Sequence, residues 1–140
     1  MIIMKFFEKV KQFRGTGLFL LRFLVGFHLI YGTQDNVFSW EQMLEFSGFL
    51  EQFGFPVPLI SAVVSVYAQF ICGILFIVGY KIRWAALVMI INFIIALLMV
   101  HLGDTYPNMF PALVMFVGSV FFLIYGSDKI SLEQLREKRR

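Results

Sequence analysis

Four stretches of this chain are apolar enough, and long or nearly long enough, to cross a lipid bilayer as helices. A hydrocarbon core demands about 20 apolar residues in a helix. The first stretch, Gly15 to Gly32, contains Arg22 and His28 but is otherwise aliphatic and aromatic. The other three are Leu59 to Val78, Trp84 to Leu102, and Phe110 to Tyr125 extended to Asn108 and Gly126. The pattern predicts an all-α integral membrane protein built as a four-transmembrane-helix bundle.

The composition supports a membrane protein of one domain covering residues 1–140. Its 59% hydrophobic content exceeds what a soluble fold of this size can bury. The net charge is +3, and the Lys and Arg residues cluster at the termini and in one short turn, away from any aromatic face. Nucleic acid is therefore not an expected partner. The single cysteine, Cys72, excludes an intrachain disulfide and a thiolate metal cage.

Positive charge is distributed asymmetrically between the predicted loops. Apart from Arg22, every Lys and Arg lies in residues 1–14, in the turn with Lys81 and Arg83, or in residues 127–140. The opposite loops, 33–57 and 103–109, contain acidic residues and no Lys or Arg. Because cytoplasmic loops carry an excess of positive charge, both termini are predicted to be cytoplasmic.

The two ends of the chain are both basic. Residues 1–14 place apolar side chains such as Phe6 and Phe7 on one side of a helix and Lys5 and Lys9 on the other. Such a helix is typical of an interfacial anchor, and we expect it to lie on the inner leaflet. Residues 127–140 are expected to form a basic cytoplasmic tail.

The first outer loop has its own helix signals. Ser39, with Gln42 three residues on, is a capping box, and Gly54 is a plausible terminator. An amphipathic interfacial helix is therefore predicted from about Trp40 to Phe53. We expect it to lie across the outer mouth of the bundle as a lid.

An ordered series of residues runs through most of the chain. It comprises Arg22, Gly26, Tyr31, Gly32, Gln34, Phe53, Gly54, Pro56, Gly73, Gly79, Arg83, His101, Gly126, Ser127, Asp128, Ser131 and Leu132. This series resembles the DoxX family of small four-helix bacterial membrane proteins, from about Gly17 to Leu135. The family commonly has His, Lys and Glu at the positions of Tyr31, Asp35 and Gln69. The resemblance implies a bacterial inner-membrane protein associated with redox systems, including quinone-linked thiosulfate oxidoreductase subunits and complexes that handle oxidative stress.

Candidate ligand-binding residues lie at the outer ends of the first and third spans. His28, Tyr31 and Asp35 share one stripe of the first helix, Gln34 belongs to the series above, and His101 ends the third span. Imidazole and phenol groups can donate to a quinone carbonyl or pass a proton, which predicts an outer-half quinone site. Alternatively, Tyr31 belongs to the aromatic belt, His28 makes an interhelical hydrogen bond and His101 is solvated.

Arg22 is a candidate with two interpretations. It lies roughly ten ångströms above the inner boundary at about 1.5 Å per residue, where a charge is costly unless paired or hydrated. It either snorkels to the inner headgroups or faces the bundle and binds an anionic headgroup or substrate group. Haem ligation by the two histidines is disfavoured because His28 lies several residues deeper than His101. No metal site is predicted.

Gln69 and Asn92 lie near the middle of the second and third spans. Gln69 flanks a stripe of small residues that includes Ser61, Ser65 and Cys72, and Asn92 belongs to a similar stripe. Small faces let helices approach closely, and an interhelical hydrogen bond repays the burial of an amide. We therefore predict a helix-packing role for both amides.

No catalytic motif is visible in the chain. HExxH, a phosphate loop, a dinucleotide fingerprint and a serine nucleophile elbow are all absent, and enzymatic activity is left open. The favoured function is a quinone-linked or redox-partner-docking component of a membrane oxidoreductase system. Its expected partners are the bilayer, a soluble or membrane oxidoreductase and, in a homo-oligomer, further copies of the chain. A small-solute carrier or channel-like protein and a structural membrane scaffold remain alternatives.

Overall fold

The computed structural model describes all 140 residues and contains seven α-helices. They are α1 (Ile2–Lys11), α2 (Arg14–Phe38), α3 (Trp40–Gln52), α4 (Pro58–Val78), α5 (Ile82–Met99), α6 (Tyr106–Tyr125) and α7 (Leu132–Lys138). Four of them, α2, α4, α5 and α6, are long and apolar enough to cross a membrane. The prediction of a four-helix membrane fold with a further helix in the first loop is confirmed.

Two spanning helices extend beyond the apolar stretches that predicted them. α2 continues past Gly32 to Phe38, and α6 begins at Tyr106 rather than near Asn108. Hydropathy marks the part of a helix that fits the hydrocarbon core, whereas backbone hydrogen bonding continues into polar residues. Pro107 suits the first turn of α6, where its missing N–H would have no intrahelical partner.

The bundle has a basic end and an acidic end. The basic end holds residues 1–14, the turn between α4 and α5 with Lys81, and residues 126–140. The acidic end holds α3 and the loop between α5 and α6 with Asp104. Because an even number of helices, four, run from one end of the bundle to the other, both termini lie at the same end, the basic one.

Paired glycines bring α2 and α4 into backbone contact. A Cβ atom built at Gly26 would lie 2.5 Å from the Gly73 carbonyl oxygen, and one built at Gly73 would lie 2.7 Å from the Gly26 carbonyl oxygen. Small residues allow such an approach in a membrane, where close packing drives helix association. Nearer the basic end of α4, the ring centroids of Phe76 and Phe122 lie 5.0 Å apart, and this contact joins α4 to α6.

The helix of the first loop begins where its capping box predicts. The Ser39 hydroxyl accepts a hydrogen bond from the backbone N–H of Gln42 at 3.4 Å. Gly54, with a φ of 80°, follows the last turn. Met43 and Leu50 are buried and pack on the first half of α4. α3 therefore covers the bundle at its acidic end.

Residues 126–131, which we name the C-terminal segment, pack against the basic end before α7 begins. Ser131 is buried, and its hydroxyl accepts a hydrogen bond from the backbone N–H of Gln134 at 3.2 Å. The backbone N–H of Glu133 donates to the Gly79 carbonyl oxygen at 3.1 Å. Gly79 has a φ of 72°, and a Cβ atom there would collide with Arg22 and Ser131. The first residues of the predicted tail are thus part of the packed bundle.

None of the residues of α1 is buried against the rest of the chain. Its apolar side chains, including Phe6 at 60% and Phe7 at 57%, are exposed. Lys9 and Lys11 lie in its last turn, where positive charge favours the carbonyl end of a helix. Its position on a leaflet surface stays a prediction.

Candidate functional site

Arg22 is completely buried at the basic end of the bundle. Its guanidinium donates hydrogen bonds to the Phe76 carbonyl oxygen, at 3.1 Å, and to the Ile130 carbonyl oxygen. It also lies 5.7 Å from the centre of the Phe19 ring. The carbonyls in the last turn of a helix such as α4 have no intrahelical partner, so Arg22 satisfies one of them. Arg22 therefore does not snorkel to headgroups: it joins α2 to α4 and to the C-terminal segment.

His28 and Tyr31 lie on the exposed face of α2. Tyr31 is 63% exposed, and its ring stacks on Phe27 at 6.0 Å between centroids. Phe27 in turn stacks on Phe23 at 6.2 Å. A ridge of exposed aromatic rings along a spanning helix is suited to contact with lipid, since no part of this chain covers it. Gln34, near the end of the same helix, is only half-buried.

A cavity of about 630 Å³ lies between α4 and α5 in the acidic-end half of the bundle. Phe46 and Phe49 of α3 cover it, and Phe93 and Ala96 of α5 form one of its walls. Its volume falls in the range of about 300–1,000 Å³ that is typical of small-molecule sites. Apolar side chains predominate in its lining, so it suits a largely apolar molecule.

Polar side chains join α4 to α5 along one wall of this cavity. The Ser65 hydroxyl donates a hydrogen bond to Asn92 Oδ1 at 2.8 Å, and Gln69 Nε2 donates to the Ser65 hydroxyl oxygen at 3.1 Å. All three residues line the cavity. The bonds leave the Asn92 Nδ2 amino group and Gln69 Oε1 without a partner in the chain. The wall therefore offers one donor group and one acceptor to a bound molecule.

His101 lies at the mouth of the cavity, where Asp104 contacts one of its ring nitrogens. His101 Nδ1 is 3.1 Å from Asp104 Oδ2, and the two side chains are 22% and 28% exposed. The other carboxylate oxygen, Asp104 Oδ1, accepts hydrogen bonds from Asn108 Nδ2 at 2.9 Å and from the Thr105 N–H at 2.8 Å. The bonds from Asn108, His101 and Thr105 hold the pKa of the Asp104 carboxyl below its ordinary value. Asp104 is therefore ionised at neutral pH, and His101 Nε2 is the ring nitrogen left for a ligand.

The structure does not bring the predicted ligand-binding residues together. His101 lies on the cavity, whereas Arg22 is at the opposite end of the bundle. His28, Tyr31 and Gln34 are on α2, which packs mainly on α4 and α3 rather than on α5. A ligand at any of these residues stays a prediction, but one cleft shared by His28, Tyr31 and His101 is not formed.

The wall of the cavity is the part of the site that sequence reasoning missed. The small-residue stripe predicts a packing role for Ser65, and the outer-half site expected beneath α3 is built from His28, Tyr31 and His101 rather than from Ser65 and its neighbours. The sequence does contain a signal for this wall, because Ser65 and Gln69 stand at i and i+4 and so share one face of α4. Such a polar pair in the middle of a span points toward a partner or a ligand.

No metal site accompanies this cavity. The structure contains no group of three or more His, Cys, Asp or Glu side chains that could hold a metal ion. The two histidines lie on different parts of the bundle, His28 on the exposed face of α2 and His101 at the cavity mouth. The cavity presents amide, hydroxyl and imidazole groups in an apolar lining.

Comparison with known proteins identifies the family of this chain. No curated protein and no solved structure matches it. A family model described as DoxX matches residues 17–102, which run from the first turn of α2 past the end of α5 and include every residue lining the cavity. Because the match covers more than half of a chain that also has the four membrane-spanning helices expected from the resemblance, the protein belongs to the DoxX family.

Proposed function

We propose that this protein binds the headgroup of a lipid-soluble quinone in the cavity between α4 and α5, as a component of a membrane oxidoreductase system. Its main support is the row of Gln69, Ser65 and Asn92 on the wall of an otherwise apolar cavity. Polar groups in the hydrocarbon region are costly unless they are hydrogen-bonded. The free amino group of Asn92 therefore favours a ligand that is mostly apolar but has an oxygen acceptor.

The spacing of the polar groups suits a ring with oxygen atoms at opposite ends. His101 follows two residues after Met99, the last residue of α5, so Asn92 and His101 are nine positions apart, about 13 Å at the rise of a helix. Both residues line the cavity. A six-membered ring with an oxygen at each end, and a hydrogen bond of about 3 Å at each oxygen, bridges a gap of this order. Asn92 and His101 would then hold the two ends of one headgroup.

The surroundings of the cavity suit entry from the lipid. Val64 and Leu98, which line the cavity, are 62% and 60% exposed on the sides of spanning helices. Phe46 and Phe49 of α3 cover the cavity at the acidic end. An apolar tail would leave past Val64 and Leu98 toward the acyl chains, while the aromatic rings keep water from the headgroup. The quinone-linked association implied by the DoxX resemblance supports the same ligand class.

Replacement of Asn92 by leucine is expected to lower quinone retention about tenfold, the size of one lost hydrogen bond. Leucine has the same branched side-chain shape as asparagine, so the bundle should stay folded. The measurement is the ratio of quinone to protein in solvent extracts after gentle purification from bacterial membranes. Ser119→Ala is the control, because that buried hydroxyl donates to Met115 of its own helix at 2.7 Å, away from the cavity.

Equal retention in the wild type and in the Asn92→Leu variant would contradict the proposed site. A wild-type protein that carries no quinone but conducts a small solute in proteoliposomes would favour the carrier alternative. Co-purification of an oxidoreductase with the quinone-loaded protein, and its loss in the variant, would extend the proposal to a partner.

We also propose that the protein lies in a bacterial inner membrane with its basic end in the cytoplasm. The support is the concentration of Lys and Arg at that end and their absence from the loops at the other. Cysteines placed at Glu45 and Asp104 should react with an impermeant maleimide in intact spheroplasts, and a cysteine at Arg139 only after permeabilisation. The opposite labelling pattern would reverse the orientation.

A further inference from the structure

We infer that Asp104 positions His101 so that the cavity prefers the reduced, hydroxyl-bearing form of the ring over the oxidised, carbonyl-bearing form. This inference rests on the proposed function and concerns the same cavity. It assigns Asp104 as a positioning residue, since the carboxylate acts through the imidazole and does not line the cavity itself.

The hydrogen-bonding pattern around Asp104 determines which ring nitrogen carries the proton. Asp104 Oδ2 is 3.1 Å from His101 Nδ1, and a carboxylate can only accept a hydrogen bond. In the neutral imidazole the proton therefore sits on Nδ1. Nε2 is then an acceptor, and it is the nitrogen left to face a ligand. A hydroxyl of the reduced ring donates a hydrogen bond to such a nitrogen. A carbonyl oxygen has no proton to donate, and its lone pairs are repelled by the lone pair of Nε2.

The carboxylate is itself held in place by two further donors. Asn108 Nδ2 and the Thr105 N–H both bind Oδ1, at 2.9 Å and 2.8 Å, which turns Oδ2 toward the imidazole. At the other end of the cavity, the Asn92 amino group donates to an oxygen whether that oxygen is a carbonyl or a hydroxyl. The Asn92 end therefore does not discriminate between the two forms, and the discrimination that depends on Asp104 arises at the His101 end.

The substitution Asp104→Asn reverses this pattern with the least change in shape. The two donors, Asn108 and Thr105, keep the amide oxygen at the Oδ1 position, so the amide NH₂ replaces Oδ2 and donates to His101 Nδ1. The proton of the neutral imidazole then moves to Nε2, which becomes a donor toward the cavity. Since an N–H group donates to a carbonyl or to a hydroxyl oxygen, the variant should lose the preference for the reduced ring.

The test uses the full chain in nanodiscs at pH 8.5. The probes are decyl-benzoquinone and its quinol, kept anaerobic, with affinities taken from equilibrium dialysis against empty nanodiscs. We expect the wild type to bind the quinol about tenfold more tightly than the quinone, and the Asp104→Asn variant to lose this preference. The control Asp35→Asn makes the same chemical change at an exposed position of α2 and should leave the ratio unchanged.

Each outcome separates the two proposals. A wild type that binds both forms equally, or an Asp104→Asn variant that keeps the wild-type ratio, would overturn the inference while leaving quinone binding intact. A wild type that binds neither form would overturn the proposed function itself. His101→Gln provides a second variant, since a glutamine can donate or accept, and its ratio should approach one.

Discussion

Replacing Arg22 by alanine is expected to lower the free energy of unfolding by about 3 kcal/mol. Arg22 is the largest fully buried side chain of the protein, so the change leaves a cavity at the basic end. It also leaves the Phe76 and Ile130 carbonyl oxygens without their donor. The C-terminal segment would lose its attachment to α2. The measurement is unfolding of the purified protein by dodecyl sulfate in detergent micelles, followed by circular dichroism.

Two further variants test the reason for this loss. The guanidinium Nε of Arg22 has no hydrogen-bond partner, so part of the cost of burying the charge is not offset, and Arg22→Met should be milder than Arg22→Ala. Arg83 is an exposed arginine at the same end, with one long hydrogen bond to the Ile124 carbonyl oxygen at 3.4 Å. Arg83→Ala should change the free energy by less than about 0.5 kcal/mol. Equal losses in Arg22→Ala and Arg83→Ala would show that the buried arginine has no special structural role.

Replacing Gly26 by alanine is expected to destabilise the bundle by about 2 kcal/mol, through overpacking at the contact of α2 with α4. The new methyl group would lie 2.5 Å from the Gly73 carbonyl oxygen and 2.7 Å from a side-chain carbon of Ile77. Backbone cannot move aside as a flexible side chain can, so the two helices must separate. The same dodecyl sulfate titration measures the loss.

Gly32 provides the matched control for this change. It lies on the same helix, and a Cβ atom built there meets nothing within 4 Å. Gly32→Ala should be neutral or stabilising by up to about 1 kcal/mol, because alanine is the better helix former. The double variant Gly26→Ala with Gly73→Ala should cost less than the sum of the single changes, since the first separates the helices for both. A Gly32→Ala loss as large as that of Gly26→Ala would refute the close-contact explanation.

The parts of the fold that depend on local signals are the parts that the sequence predicts well. The spans follow from apolar length, and the start of α3 follows from the Ser39 capping box and its end from Gly54. These signals act over a few residues and need no knowledge of the neighbouring helices. The placement of Arg22 depends instead on contact with Ile130, more than a hundred positions later in the chain.

The face that α2 turns to its neighbours is the clearest example of what the sequence left ambiguous. Its buried face is formed by Leu18, Arg22, Val25, Gly26, Leu29 and Thr33, at helical spacing. Phe23, Phe27 and Tyr31 form an equally regular ridge that is exposed. In water, a ridge of aromatic side chains would be buried in the protein core. In a membrane, the lipid is as apolar as that core, so burial gives the ridge no advantage and small residues mark the packing face instead. His28 follows the aromatic side, and the candidate site moves from α2 to the wall between α4 and α5.

Photolabelling of the protein in nanodiscs with an azido-quinone, followed by peptide mapping, tests the proposed ligand site most directly. We expect adducts on the cavity wall, at residues such as Phe46, Ala96 and His101, that excess unlabelled quinone suppresses and that Asn92→Leu reduces. Adducts on the exposed ridge of α2 around Tyr31, or adducts spread over all lipid-facing helices without competition, would contradict it.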